Sequence, residues 1–200
     1  MDMIQVSPPE ASYNFFMHVR IVISIIVGLC ITTLLGGLSR FIQHPKRDQV
    51  SLLHLGWSVA LLLWVIHFWW WEYGLSTVSR WTFEGYFFVI FYAILFFMLC
   101  KLLFPDDLKG YAGYEEYLIS RRRWFFGFFA ATFLVDVIDT QLKGSAYFRH
   151  FGIEYPIRIA VSLTLCVIAM FTANRRYQLC FMLVSFAYQV SFILRMYHTQ

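Results

Sequence analysis

The sequence predicts an all-α fold, a polytopic bundle of six membrane-spanning helices that forms a single domain over residues 1–200. The first observation is composition: 60% of the residues are hydrophobic, 20% are aromatic and only 14% are charged. A soluble domain carries about 25% charged residues, and a soluble fold of this length has too little interior to bury so much apolar surface. A bilayer removes the difficulty because lipid contacts apolar side chains directly.

The second observation is the length of the apolar runs. A transmembrane helix needs about 20 mostly apolar residues, and six runs approach that length. The breaks between them include Pro45 and Pro105, and a proline disfavours the α conformation in the residue before it. The predicted spans are 21–39, 50–71, 82–104, 124–140, 157–173 and 177–194, and the first helix is free to begin as early as Pro9.

The third observation is the asymmetric distribution of lysine and arginine. Cytoplasmic connections are enriched in these residues. The first, third and fifth connections hold ten of them, whereas the opposite side, with both termini, holds six. The sequence therefore predicts that both termini lie on the outer side, which is the periplasm if the protein resides in a bacterial inner membrane.

The longest predicted cytoplasmic connection, 105–123, contains a helical pattern of its own. Tyr111, Tyr114, Tyr117 and Leu118 recur at helical spacing there. An amphipathic segment beside a bilayer places its apolar face at the headgroup boundary. We therefore expect a short helix that lies on the membrane surface.

Small residues recur at every fourth position of the first span, at Ser24, Gly28, Thr32 and Gly36. Such a stripe lets two helices approach closely. Six helices made from 200 residues enclose little volume, so a polar vestibule forms more easily between subunits than within one. We therefore expect a homo-oligomer in a lipid bilayer; the alternative partner, under the accessory-subunit hypothesis below, is another membrane protein. Nucleic acid is not expected, because the basic residues lie between apolar runs and form no dense patch.

Ionisable side chains are few inside the predicted spans, and they lie on one side of the bilayer. Each costs about 2.5 kcal/mol or more at the centre of a helix on insertion scales, so each indicates function or pairing. Asp136 is the deepest, and Asp139 follows at i+3 on the same helix face. The predicted polar cluster of the outer leaflet consists of Asp136, Asp139, His67, Glu72, Arg158 and Gln189.

The sequence leaves two interpretations of this cluster open. In the first, Asp136, Asp139, Glu72 and His67 line a vestibule that binds a cation or passes protons, because carboxylate and imidazole chains serve such pathways. In the second, the two aspartates pair with Arg158 or Arg195 and only fasten helices together. Glu72 is expected in solvent at the interface, and the adjacent Trp69, Trp70 and Trp71 are expected in an outer aromatic belt.

His67 also admits a metal or haem hypothesis. With His18 at similar depth on the neighbouring helix, or with the carboxylates, it offers imidazole ligands for haem iron or a transition metal. The spacing matches no specific ligand motif, so no cofactor is predicted. The sequence also lacks the G-x-x-x-x-G-K-[ST], H-E-x-x-H and G-x-S-x-G motifs, which argues against a primary pump.

The leading functional hypothesis is an oligomeric channel or small transporter for ions or protons. Asp136 is its intramembrane charge, Asp139, Glu72 and His67 line its mouth, and Arg158 is the counter-charge. A second hypothesis is a non-catalytic accessory or sensor subunit of a membrane complex. A third is an intramembrane metal or haem enzyme.

Overall fold

The computed structural model describes residues 8–43, 50–144, 149 and 151–197, and this part of the chain contains helices, turns and loops but no strand. Its helices are α1 (Pro8–Gln43), α2 (Leu52–Trp71), α3 (Phe83–Leu103), α4 (Tyr114–Ser120), α5 (Arg122–Leu142), α6 (Glu154–Phe171) and α7 (Arg175–Tyr197). A 3-10 helix over Glu72–Thr77 continues α2 directly. All except α4 are long and apolar enough to cross a membrane, with α2 counted together with its 3-10 extension.

Each predicted span corresponds to one long helix, and apart from the start of α1 the helix ends lie within four residues of the predicted ones. The largest shift is in α1, which begins at Pro8 and ends at Gln43, because no helix breaker lies between Pro9 and the residue before Pro45. α6 begins at Glu154, three residues before the predicted start. Glu154 suits the positive end of the helix dipole, and Pro156 is tolerated in the first turn, where its missing N–H has no acceptor within the helix.

Local side chains explain several of these boundaries. Ser51 Oγ accepts a hydrogen bond from the backbone N–H of His54 at 3.4 Å, and Thr82 Oγ1 accepts one from the N–H of Gly85 at 3.2 Å. Each bond satisfies a donor that has no partner within the first helical turn. α3 ends at Leu103, because Pro105 disfavours helix in the residue before it.

The central helix of the bundle is α2. It packs against α1, α3 and α7, and its tryptophans reach α5, where the Trp57 and Phe125 ring centroids are 5.3 Å apart and those of Trp64 and Phe133 are 5.4 Å apart. Around it α1, α3, α5 and α6 follow one another, each packed on the next. Accordingly α2 is the most buried of the six long helices, and α7 is the least.

The two ends of the bundle differ in chemistry. At one end, which we call the termini end, α1 begins and α7 ends; the other, the α4 end, carries α4. The interior near the termini end holds buried charged groups. Towards the α4 end the interior is aromatic, and four rings surround Trp57 at centroid distances of 5.3 to 5.6 Å. These five residues form what we call the aromatic plug: Trp57, Phe125, Phe126, Phe129 and Phe181.

The short helix predicted in the 105–123 connection is α4, although it leaves Tyr111 outside. Its Tyr114 and Leu118 are buried, so they pack into the bundle and do not form a surface-facing stripe. The Tyr114 ring lies 4.6 Å from that of His54, and His54 Nε2 lies 2.8 Å from the carbonyl oxygen of Leu103. The short helix α4 is therefore anchored in the core at this end of the bundle.

Three of the four stripe residues of α1 face away from the other described helices, and only the fourth, Ser24, contacts one of them, through Trp69 of α2. A Cβ added to Gly28 or Gly36 would have nothing within 4 Å, and Thr32 is exposed as well. The glycine that packs inward is Gly37, where a Cβ would lie 2.2 Å from Cδ1 of Phe104. Within α1, therefore, Gly37 makes a close contact with another part of the chain, whereas Gly28 and Gly36 make none with the described residues.

Candidate functional site

Five ionisable side chains meet in the interior near the termini end. They come from three elements: the 3-10 helix, the last turns of α5 together with the residue after it, and the first turns of α6. Asp136 is six residues before the end of α5 at Leu142, which at ~1.5 Å per residue corresponds to ~9 Å. All five are buried. We call this group the ion cluster: Glu72, Asp136, Asp139, Lys143 and Arg158.

Lys143 joins two of the carboxylates. Its Nζ lies 2.5 Å from Asp139 Oδ2 and 3.3 Å from Glu72 Oε1. Asp139 and Lys143 are at i and i+4 of α5, so helix geometry places them side by side. Trp71 Nε1 donates a hydrogen bond to the same Asp139 oxygen at 3.1 Å, and the Trp71 ring centroid lies 5.1 Å from the ammonium nitrogen. The lysine therefore connects the end of α2 to α5.

Arg158 pairs with the deepest carboxylate. Its Nη2 lies 3.1 Å from Asp136 Oδ2, and the Tyr155 hydroxyl donates to that oxygen at 2.9 Å. The other carboxylate oxygen accepts from Tyr92 of α3 at 3.4 Å. The guanidinium carbon also lies 4.7 Å from the ring centroid of Phe192 on α7. Four helices therefore contribute to this half of the cluster.

Charges in the cluster do not balance. Three carboxylates face two cationic groups, and all five side chains are at most 8% exposed. Several of their polar atoms have no hydrogen-bond partner among the described residues: Glu72 Oε2, Asp139 Oδ1, and Nε and Nη1 of Arg158. An unpaired buried charge is costly in a low-dielectric interior. The arrangement therefore favours the uptake of one positive charge.

His67 and Gln189 form a polar pair beside the cluster. Gln189 Nε2 lies 2.9 Å from His67 Nδ1, and His67 Nε2 lies 3.3 Å from the Tyr197 hydroxyl. In this orientation of the Gln189 amide, its NH₂ donates to Nδ1, which assigns the ring proton to Nε2. The His67 ring packs against Trp71 at 5.9 Å, and Trp71 links the pair to Asp139.

Arg195 does not reach the aspartates. It forms an ion pair with Glu154 at 2.5 Å, and the Tyr188 hydroxyl donates to the same carboxylate at 2.9 Å. These contacts lie at the start of α6 and the end of α7, at the rim of the bundle. Of the two arginines considered as partners for the aspartates, only Arg158 forms such a pair, with Asp136. The partner of Asp139 is Lys143.

The metal hypothesis finds little support in the histidine positions. His18 is exposed, and its ring stacks on Tyr86 of α3 at 6.3 Å, whereas both ring nitrogens of His67 are hydrogen-bonded. Within the described part of the chain, no group of three or more histidine, cysteine, aspartate or glutamate side chains is placed to hold a metal ion.

Two expectations about the end of α2 are corrected. Glu72, expected in solvent, is only 4% exposed, because the 3-10 helix turns it inward onto Lys143. Of the three adjacent tryptophans, only Trp70 is exposed as a belt residue would be. Trp71 is buried against Asp139, and Trp69 Nε1 donates to Ser24 Oγ of α1 at 3.0 Å. Two of the three therefore connect helices.

All six residues of the predicted polar cluster lie in one region. Lys143, Tyr155 and Tyr92 complete the site and were not singled out from the sequence. The i,i+4 spacing of Asp139 and Lys143 and the i,i+3 spacing of Tyr155 and Arg158 were available signals. Tyr92 carries no such signal, because its contact depends on how α3 packs on α5. The region lies inside one chain, and the predicted vestibule between subunits is not needed to assemble it.

Comparisons of the chain with protein-family models, with curated proteins and with solved structures find no significant match. The functional interpretation therefore depends on the geometry and charge of the cluster.

Proposed function

We propose that the chain is an integral membrane protein that transports protons or small cations and that the ion cluster is its charge-carrying site. The observation that carries the proposal is the excess of one carboxylate among five buried ionisable groups. Asp136 has Arg158 as its partner and Asp139 has Lys143 at the shorter distance, so Glu72 is the remaining acid. Binding one proton or one monovalent cation makes the cluster neutral.

The energetics favour such binding. Moving an ion of this size from water into a medium of low dielectric costs about 20 kcal/mol in the idealised limit and still several kcal/mol after relaxation. Buried carboxylates in membranes are accordingly associated with ion and proton pathways. A proton is the smallest ligand and needs only Glu72 Oε2, which has no partner among the described residues. We therefore place the proton first among the transported species.

Membrane location and orientation belong to the same proposal. Six long apolar helices support membrane insertion. Of the six basic residues on the side of the termini, Lys143 and Arg158 are buried in ion pairs, so they cannot contribute to the surface charge of that side. When these two are left out, the difference in the number of lysines and arginines between the two sides becomes larger. This difference supports termini in the periplasm of a bacterial inner membrane.

Access to the cluster differs between the two sides. The cluster lies near the termini end, about two turns from the end of α5. The aromatic plug fills the interior between the cluster and the α4 end. We infer a state that is closed towards the cytoplasm, which favours a small transporter with a gated site over a permanently open channel.

The test is proton flux into liposomes that contain the purified protein. We expect Glu72→Gln to abolish flux, because it removes the excess carboxylate without changing side-chain size. Glu84→Gln is the matched control, because Glu84 is an exposed glutamate near the same end. Equal flux from both variants, or no flux from the native chain under applied voltage and pH gradients, would contradict the proposal.

Assembly into a homo-oligomer is part of the proposal, and the uncovered stripe of α1 supports it. No described residue comes within 4 Å of a Cβ added at Gly28 or Gly36, and small residues permit close packing with a second membrane helix. The mass of the protein in mild detergent tests this, and a monomer would contradict it. Stoichiometric co-purification of a different membrane protein would instead favour the accessory-subunit hypothesis.

A further inference from the structure

A groove of about 560 Å³ lies at the α4 end, between the end of α3 and the start of α5. Its part nearer the middle of the bundle is lined by apolar side chains: Met98, Leu102, Trp124 and Phe128. Phe128 is six residues after the start of α5, which at ~1.5 Å per residue corresponds to ~9 Å. The volume lies within the usual range of sites for small organic molecules.

The outer part of the groove is polar. Its lining there consists of Asp106, Asp107, Tyr111, Tyr117 and Arg121. Arg121 Nη2 donates a hydrogen bond to the Tyr111 hydroxyl at 3.2 Å, and the ring centroids of Tyr111 and Tyr117 are 5.2 Å apart. The lining therefore changes from polar to apolar along the direction in which α5 enters the bundle, as the surroundings do between the surface and the interior of a bilayer.

Arg121 gives the groove its net charge. The two aspartates are neutralised by lysines, because Asp106 Oδ1 lies 2.7 Å from Lys101 Nζ and Asp107 Oδ2 lies 2.9 Å from Lys109 Nζ. Among the described residues, no carboxylate lies within ion-pair distance of Arg121, and the tyrosine hydroxyl that it contacts is neutral. The groove therefore carries one uncompensated positive charge, at its polar end, and fits a ligand with one negative charge.

We propose that the groove binds an anionic phospholipid from the leaflet at the α4 end, with its phosphate at Arg121 and part of an acyl chain along Trp124 and Phe128. These three residues are at i, i+3 and i+7, so they follow one face of the chain as α5 begins. Trp124 is exposed, as tryptophans at a membrane interface are, and its ring stacks on that of Phe128 at 6.2 Å. Arginine binds phosphate oxygens through charge-assisted hydrogen bonds. The inference rests on the proposed membrane insertion but not on transport.

Charge selects an anionic phospholipid over a zwitterionic one. A zwitterionic headgroup adds a cationic group that needs a carboxylate of its own, and both aspartates of the groove already pair with lysines. The phosphate of an anionic lipid compensates Arg121 without bringing a second positive charge. Arg122 and Arg123 follow directly in the sequence, and basic residues close to a membrane surface attract anionic lipids.

Photo-crosslinking in vesicles tests the proposal. The protein is reconstituted in phosphatidylcholine vesicles that contain a small fraction of phosphatidylglycerol with a diazirine on one acyl chain, and labelled peptides are mapped by mass spectrometry. A parallel preparation carries the same diazirine on phosphatidylcholine. We expect phosphatidylglycerol to label Trp124 and Phe128 about fivefold more than phosphatidylcholine does. Equal labelling by the two lipids, or phosphatidylglycerol labels spread evenly over the exposed faces of α1 and α7, would overturn the proposal.

Two charge variants provide the matched comparison. Arg121→Gln should lower phosphatidylglycerol labelling of the groove about fivefold, the share that one basic residue contributes near an anionic surface. Arg176→Gln removes the same charge from an exposed residue at the same end, outside the groove lining, and should leave the labelling unchanged. An equal fall in both variants would mean general surface attraction and would overturn the site.

The aspartates provide a change in the opposite direction. Asp106→Asn with Asp107→Asn leaves Lys101 and Lys109 without their carboxylates, so phosphatidylglycerol labelling of the groove should rise. A fall would mean that the aspartates bind a cationic headgroup, which would overturn the choice of lipid. Crosslinking needs no transport, so its result is independent of the flux assay, and the comparison of the two lipids on the native chain is decisive without any variant.

Discussion

The carboxylates of the ion cluster differ in what compensates their charge. Asp136 receives a guanidinium and a tyrosine hydroxyl on one oxygen, whereas Glu72 shares Lys143 with Asp139 at the longer of the two distances. Removing one partner of a buried ion pair destabilises a protein much more than replacing both partners, because the remaining charge is left uncompensated. Neutralising Asp136 should therefore lower the free energy of unfolding, whereas neutralising Glu72 should not.

Asp136→Asn should lower the free energy of unfolding by about 3–5 kcal/mol, because it leaves Arg158 buried without a counter-charge. Glu72→Gln should be neutral or stabilising, because it removes the excess charge. Denaturant unfolding in detergent measures both. Adding Arg158→Met to Asp136→Asn should recover part of the loss, as expected for directly coupled residues. If Asp136→Asn costs no more than Glu72→Gln, the assignment of partners is wrong.

At the scale of elements, adjacent glycines of α1 have opposite environments. A Cβ on Gly37 would lie 2.2 to 2.4 Å from three ring atoms of Phe104, whereas one on Gly36 would meet nothing within 4 Å. Phe104 is itself held in an aromatic group with Phe41, His54 and Tyr114, so its ring cannot easily move. The close contact between α1 and the end of α3 therefore requires glycine at position 37 but not at position 36.

Gly37→Ala should destabilise the protein by about 1–3 kcal/mol, the usual cost of overpacking a filled core. Gly36→Ala should stabilise it by up to about 1 kcal/mol, because alanine has the higher helix propensity. Thermal unfolding of the two variants in the same detergent compares them directly. The opposite order would mean that the stripe, not Gly37, makes the close helix contact.

The elements were predictable from sequence to different extents. Long apolar runs identify all six long helices, because apolar length is a local property. The burial of Tyr114 in α4 was not predictable, because it depends on contact with His54 and Phe104 from distant parts of the chain. The same limit applies to the site. Position along the predicted helices assigned Asp136, Glu72 and Gln189 to one leaflet, but only the packing of the helices brings Tyr92 and Lys143 to them.

At the scale of the whole molecule, the proposed orientation predicts which loops can be labelled from outside the cell. Ser79 lies in the connection after the 3-10 helix, and Ala112 lies in the connection before α4; both are exposed. In a Cys180→Ser background, Ser79→Cys should react with a membrane-impermeant maleimide on intact cells. Ala112→Cys should react only after permeabilisation, and the reverse pattern would invert the proposed topology.

In the proposed transport pathway, the aromatic plug is the barrier and the ion cluster is the binding site. If the plug is the barrier to transport, Phe129→Ala should raise proton flux in liposomes, because Phe129 contacts both Trp57 at 5.6 Å and Trp64 at 5.6 Å. The added flux should disappear when Glu72→Gln is introduced as well, since protons would still use the cluster. Phe171→Ala is the control, because Phe171 is 69% exposed at the α4 end.

Removing Phe129 will also cost about 3–5 kcal/mol of stability, so the variant must first be shown to remain folded by its circular dichroism and elution volume. A non-specific leak through damaged protein would persist with Glu72→Gln, whereas flux through the proposed pathway would not. Unchanged flux in folded Phe129→Ala protein would place the barrier elsewhere. Proton flux that rises with Phe129→Ala and disappears with Glu72→Gln would instead mean that both residues lie on one pathway. Glu72 would then carry the charge, and the plug would control access to the cytoplasm.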